Sequence, residues 1–153
     1  MKKKFMPNVF RVVTIILLLL ISINALLAGY SFIADPSGNG LGMTTDYLRA
    51  SAPFKDYFIP GIVLFTVNGV LSVVVAFFVL RRLSHYAYLV WMQGCILIGW
   101  IAVQLTMVTS VHPLHYIITS TGIILVLMGT VLLRKNKATH KDEGDNPMLK
   151  FII

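Results

Sequence analysis

Four long apolar stretches separated by polar breaks set the pattern of this chain: residues 12–34, 59–80, 86–109 and 113–133. No Asp, Glu, Lys or Arg interrupts any of them. A helix needs roughly 20 apolar residues to cross a hydrocarbon core of about 30 Å, and each stretch is of that order. None alternates with period two, so helices are indicated and barrel strands are not. The pattern predicts an all-α integral membrane protein.

The breaks say how the helices connect. Arg81-Arg82-Leu83-Ser84-His85 and Ser110-Val111-His112 are short, so helices two and three, and three and four, are expected to be antiparallel neighbours in a four-helix bundle. Residues 35–58 form the one substantial loop, an outward loop between helices 1 and 2. It opens with Asp35-Pro36-Ser37-Gly38, residues that favour turns, and Gly38, Gly40 and Gly42 keep the following stretch flexible. Thr44, Thr45 and Asp46 predict the cap of a short helix running to about Ala50. Phe54, Tyr57 and Phe58 then fall at the height of the aromatic interface layer, so the loop is expected to lie over the helices as a lid. Pro60 sits in the first turn of the second span and Pro113 opens the fourth, where proline is tolerated. Residues 135–153 read as a disordered tail, with residues 148–153 apolar enough to touch a membrane surface.

Charge adds the orientation. The net charge of +7 would fit a nucleic-acid binder, but the basic residues cluster at the ends of apolar runs. Lys2, Lys3, Lys4 and Arg11 precede the first span, Arg81 and Arg82 separate the second from the third, and Arg134, Lys135, Lys137, Lys141 and Lys150 follow the fourth. Only Arg49 and Lys55 lie in the long loop. The positive-inside rule then places both termini in the cytoplasm and the loop outside, with a lipid bilayer rather than nucleic acid as the partner. The first apolar run is longer than the roughly 7–15 residues of a signal-peptide core, so it is read as an uncleaved span.

Candidate chemistry is sparse. Gln93, Leu97, Trp100 and Gln104 share one face of the third helix, aiming two amides and an indole N–H in one direction. The plain reading is interhelical hydrogen bonding to Asn24 and Asn68, since polar side chains commonly glue membrane helices together. The functional reading is a polar pocket, lined by Asn24, Asn68, Gln93, Trp100 and Gln104, for a lipid headgroup, quinone or other small amphiphile. Ala25 with Gly29, and Asn68, Ser72 and Ala76, supply small-residue spacings that let helices approach. His112 and His115 are three apart, but no cysteine completes a ligand set, so no metal site is assigned. Cys95 is the only cysteine, which rules out an intrachain disulfide and a paired-cysteine quinone or epoxide reductase. Proton-coupled export and sterol isomerisation need carboxylates inside the spans, and none is there. No nucleophile has a histidine base at its depth, so no catalytic residue and no cofactor is expected.

Several segments resemble a widespread group of small bacterial four-span membrane proteins, broadly DoxX-like. They are Ala25-Leu26-Leu27-Ala28-Gly29, Asp35-Pro36-Ser37-Gly38, Leu41-Gly42, Ser51-Ala52-Pro53-Phe54, Asp56-Tyr57, Ile59-Pro60-Gly61, and Ile98-Gly99-Trp100-Ile101 with Gln104. The resemblance spans the helices and loop but not the tail. It implies a four-helix architecture in the bacterial inner membrane, carries no activity, and offers a quinone-linked membrane anchor by analogy only. The expectation from sequence is thus a non-enzymatic accessory protein contacting a membrane-protein partner, or a second copy of itself, through Asp35, Pro36, Phe54, Asp56, Tyr57 and Pro60. The alternative is the binding or transport module with its pocket among the helices.

Overall fold

A computed structural model describes residues 5–144, with side chains described over residues 8–134. The chain is all-helical: α1 (Phe5–Ala34), α2 (Phe58–Arg81), α3 (Tyr86–Met107) and α4 (Pro113–Gly144). The four helices are long and apolar enough to cross a membrane. Their cores coincide with the four predicted stretches. Three ends differ from expectation, the first being the start of α1 at Phe5, ahead of residue 12. α3 stops at Met107 because Val108 turns extended, and α4 continues to Gly144 instead of giving way to a disordered tail after Leu133. The continuation has a simple cause: once a helix is nucleated, each further residue costs little, and Lys135, Lys137, Ala138, Lys141 and Glu143 are all good helix formers. The apolar end at residues 148–153 lies outside the described residues.

Glycine decides how the helices pair. A Cβ built on Gly29 of α1 would lie 2.7 Å from the Phe65 backbone nitrogen of α2, and one on Gly61 would lie 2.8 Å from the Phe32 Cβ. On the other side, a Cβ on Gly129 of α4 would lie 2.6 Å from the Trp91 backbone nitrogen of α3, and one on Gly94 would lie 2.8 Å from the Gly122 carbonyl oxygen. Such separations are available only where the side chain is a hydrogen, as at the small-residue contacts of membrane helices. The molecule is accordingly two tight pairs, α1 with α2 and α3 with α4. Sparser contacts of α3 with α2 and of α4 with α1 hold the pairs together.

The seam between the pairs changes character along its length. Toward the Arg81–His85 turn it is apolar, with Leu18, Val75, Ala76, Val79, Val90 and Leu125 packed as one buried cluster. Further toward the long loop its fully buried side chains include Asn68, Ser72 and Gln93. The outward surface is the reverse: Leu20, Ile23, Leu27, Phe77, Leu80, Ile117 and Leu127 are all exposed. Large apolar side chains over the outer surface, with polar ones buried in part of the seam, depart from the arrangement of a water-soluble domain.

The long loop does lie over the helices, but without the short helix expected to reach Ala50. It makes 3₁₀ turns at Asn39–Leu41 and Thr45–Tyr47, then runs extended through Leu48. The competing interaction is an antiparallel bridge between Leu48 and Val108. There the Arg49 N–H donates to the Met107 carbonyl (2.7 Å) and the Thr109 N–H donates to the Tyr47 carbonyl (2.8 Å). The Arg49 guanidinium adds a 2.6 Å bond from Nε to the Val108 carbonyl. Gly38, at φ 75°, makes the tight return: a Cβ there would sit 1.9 Å from the Met43 carbonyl oxygen.

Asp35 organises the start of this loop. Its carboxylate accepts from the Ser37 hydroxyl, from the Ser37 N–H at 3.2 Å and from the Gly40 N–H at 2.9 Å. The Ser37 hydroxyl first, then the Gly40 N–H, hold the carboxyl below its ordinary value of 3.8. A lowered folded value favours the ionised form in the fold, so the stabilisation is present above pH 3.8 and is lost as pH falls through the lowered value. Protection of the Gly40 amide, measured against its intrinsic exchange rate at each pH, is therefore expected to fall in acid below that pH, and in Asp35→Ala to be lost already at neutral pH. An amide that stays protected in both conditions would show that the carboxylate does not hold the turn.

At the opposite end, the α2–α3 turn uses left-handed backbone at Arg82 (φ 53°) and His85 (φ 68°). The Leu83 N–H bonds the Phe78 carbonyl (3.1 Å) and the Arg82 N–H bonds the Val79 carbonyl (3.3 Å). This is the helix-ending arrangement in which glycine is the usual left-handed residue. An arginine there costs about 1 kcal/mol of backbone strain.

Candidate functional site

The polar layer in the seam is built around an irregular turn. Residues Leu64–Val70 of α2 are π-helical, so the backbone widens there, and the Leu71 N–H reaches back to the Thr66 carbonyl five residues earlier. π turns of this kind recur at functional positions. Side chains from both neighbouring helices bond into this segment. The Ser22 hydroxyl of α1 donates to the Gly69 carbonyl at 3.1 Å, and Gln93 Nε2 of α3 donates to the Val67 carbonyl at 3.3 Å. Between those two carbonyls sits Asn68, with no exposed surface.

What marks this layer is its unused hydrogen-bonding capacity. Asn68 Nδ2, Asn68 Oδ1, Ser72 Oγ, Gln93 Oε1 and Trp100 Nε1 are buried and have no partner among the described residues. Ser72 lies one helical turn beyond Asn68 on α2. Gln93 is fixed beside them by its bond to Val67, and Trp100 lies two turns farther along the same face of α3. Together they offer amide and indole donors, amide acceptors and a hydroxyl that can act as either. None is ionisable near neutral pH. Such a set suits a small neutral molecule with hydroxyl or carbonyl groups.

The structure gathers part of the predicted pocket and disperses the rest. Asn68 and Gln93 meet in the layer, and Trp100 lies two turns beyond it on the same face of α3. Asn24 is outside it: it is exposed and donates from Nδ2 to the Leu20 carbonyl of its own helix at 2.9 Å. Ser22 takes the position expected of it, because two residues along a helix are about 200° around it. Gln104 is only partly buried, one turn beyond Trp100 and beside the connector to α4, where its carbonyl accepts the Val108 N–H. Ser72, which read from sequence as a packing residue alone, joins the layer as an unpaired hydroxyl.

The expected loop contacts are largely engaged within the fold. Asp35 holds its turn, the Pro36 carbonyl accepts the Tyr57 N–H at 3.0 Å, and Pro60 is buried. Tyr57 is buried rather than at an interface: its ring stacks on Phe32 with centroids 4.7 Å apart, and its hydroxyl donates to the Thr44 carbonyl at 3.3 Å. Burial pushes the phenol's pKa up, so the group stays a donor. Asp56 is exposed but caps the start of α2 by accepting the Phe58 N–H at 3.0 Å. Phe54 remains half-buried. At the start of α4, His115 Nδ1 accepts the His112 N–H at 3.2 Å, so that pair closes a turn. Among the described residues no three His, Cys, Asp or Glu side chains gather as a metal site.

No family model, curated protein or solved structure matches this chain.

Proposed function

We propose that this chain is a membrane-inserted antiparallel four-helix bundle of a bacterial cell membrane, with both termini in the cytoplasm, and that it binds a small neutral amphiphile in the Asn68 layer. The reading treats the chain as a binding or transport module without catalytic chemistry. The observation that carries it is Asn68: a fully buried amide with neither end paired among the described residues, set in a π turn. Leaving both ends of a buried amide unpaired costs about 1–3 kcal/mol each, a cost offset by a ligand that supplies the missing partners. Exposed aliphatic surfaces support the membrane setting, and the distribution of Lys and Arg supports the orientation. The accessory role draws less support, because most of the loop residues expected to meet a partner are engaged internally.

Native mass spectrometry of the protein ejected directly from its own membranes tests the reading. A single chain carrying one added small mass is expected, and Gln93→Leu with Trp100→Phe is expected to lose it while the bundle stays folded. An unmodified chain, or a mass retained by the double variant, would sink the binding reading. A second polypeptide in place of the small mass would return the accessory role to first place.

A further inference from the structure

At the end of the molecule remote from the loop, two guanidinium groups from distant parts of the sequence converge on one neutral oxygen. Arg11 Nη1 of α1 lies 3.5 Å from Asn8 Oδ1, and Arg82 Nη2 of the α2–α3 turn lies 3.3 Å from the same atom. Arg11 is oriented by the C-terminal carbonyls of α2, with Nε 3.4 Å and Nη2 3.3 Å from the Val79 oxygen and Nη2 3.4 Å from the Leu80 oxygen. Every one of these contacts is long, since charge-assisted hydrogen bonds settle near 2.7–2.9 Å. The described carboxylates, Asp35, Asp46 and Asp56, all belong to the loop at the other end. Among the described residues, two like charges are thus held together by weak, neutral acceptors, and Arg82 donates a single side-chain hydrogen bond of the five its N–H groups allow.

The backbone gives a second, independent indication. Arg82 occupies the left-handed helix-ending position that glycine fills with least strain, so the turn itself has no need of a side chain there. A residue held against local preference beside a second guanidinium points to a charge that serves recognition.

We infer that Arg11, Arg82 and Asn8 form a phosphate-binding site, with the two guanidinium forks gripping the oxyanion and the Asn8 amide free to donate its N–H groups to a third oxygen. Guanidinium geometry matches phosphate oxygens, and two such groups replace their long bonds to neutral acceptors by short charge-assisted ones. The phosphate belongs either to an anionic lipid headgroup or to a free phosphate or phosphoester. The first source rests on the membrane reading above, whereas the site itself does not. It lies at the end of α2, several helical turns from Asn68 in the middle of that helix, so Asn68→Leu is expected to leave it unchanged.

The test uses the full chain in detergent with phosphatidylglycerol or phosphatidylcholine added, retention being read by native mass spectrometry. Wild type is expected to retain phosphatidylglycerol preferentially. Arg82→Gly relieves the backbone and removes the guanidinium, so it is expected to keep or raise the Tm while weakening that preference about fivefold. Arg82→Asn, also compatible with the left-handed turn, is expected to behave the same way, and Arg82→Lys to recover part of the preference. Millimolar inorganic phosphate that leaves lipid retention intact identifies the headgroup as the ligand; phosphate that displaces lipid, or raises the Tm of wild type and not of Arg82→Gly, identifies the free ion. Equal retention of the two lipids by wild type together with no effect of phosphate overturns the site. So does undiminished phosphate or lipid selectivity in Arg82→Gly.

Discussion

Asn68→Leu is expected to make the ligand-free protein more stable, by about 1–3 kcal/mol, and to abolish retention of the small molecule. The sign follows from the bonding. Neither end of the Asn68 amide has a partner among the described residues, so substitution breaks no protein hydrogen bond and removes two desolvated polar atoms. Leucine is somewhat larger than asparagine, but the widened π turn around residue 68 gives the backbone room to adjust. Asn24→Leu serves as the comparison: that amide is exposed and bonded only to its own helix, so its replacement is expected to change stability by less than about 0.5 kcal/mol. Reversible unfolding in mixed micelles would measure both. Destabilisation by Asn68→Leu would mean that the amide belongs to a satisfied packing network, and the polar layer would then be interhelical glue.

A second large effect is expected at Gly129. A single methyl group there would be driven against the Trp91 backbone, with the Cβ 2.6 Å from N and 2.7 Å from Cα, and backbone atoms cannot rotate aside. Gly129→Ala should therefore separate α3 from α4 and cost about 1–3 kcal/mol or more. The same change at Gly99, with nothing within 4 Å of its Cβ position, should be neutral or stabilise by up to roughly 1 kcal/mol through helix propensity. Thermal melts of the two variants check the contrast. Equal, small shifts at both positions would show that the pairs are not held at glycine distance.

Much of this architecture was legible in the residues themselves. The helices follow from uninterrupted apolar length, and the close pairing of α3 with α4 agrees with their short connector, whereas the tight pairing of α1 with α2 across the long loop, and the sparser contact of α2 with α3 across the short turn, do not follow from connector length. The lid was legible in outline, but its detail was not, because Leu48 pairs with Val108, sixty positions away, and no local pattern announces that partner. Tyr57 was misplaced for a related reason: an aromatic residue beside a span reads as an interface anchor, and only the approach of Phe32 makes it a buried one. Side-chain types drew attention to Asn68 and Gln93 of the polar layer and to Trp100 farther along α3, whereas helical phase alone distinguished the inward Ser22 from the outward Asn24. The π turn shifts that phase by roughly one residue within α2, and nothing in Leu64–Val70 marks it in advance. Arg11 and Arg82 counted in the sequence only as orientation signals, since their meeting at Asn8 spans more than seventy residues of chain.

The clasp between Arg49 and Val108 has a mechanical consequence. The two helix pairs are tied covalently at one end by the Arg81–His85 turn, and at the other by the loop's bridge onto Met107–Thr109. A pair of beams fixed at both ends cannot swing apart like a door; it can only bow. The place where α2 bows most readily is its π turn, because helices bend where their hydrogen-bond ladder is already irregular. That turn is the one carrying Asn68, so on the binding reading proposed above a ligand would reach the polar layer sideways, through the flexed waist of the molecule.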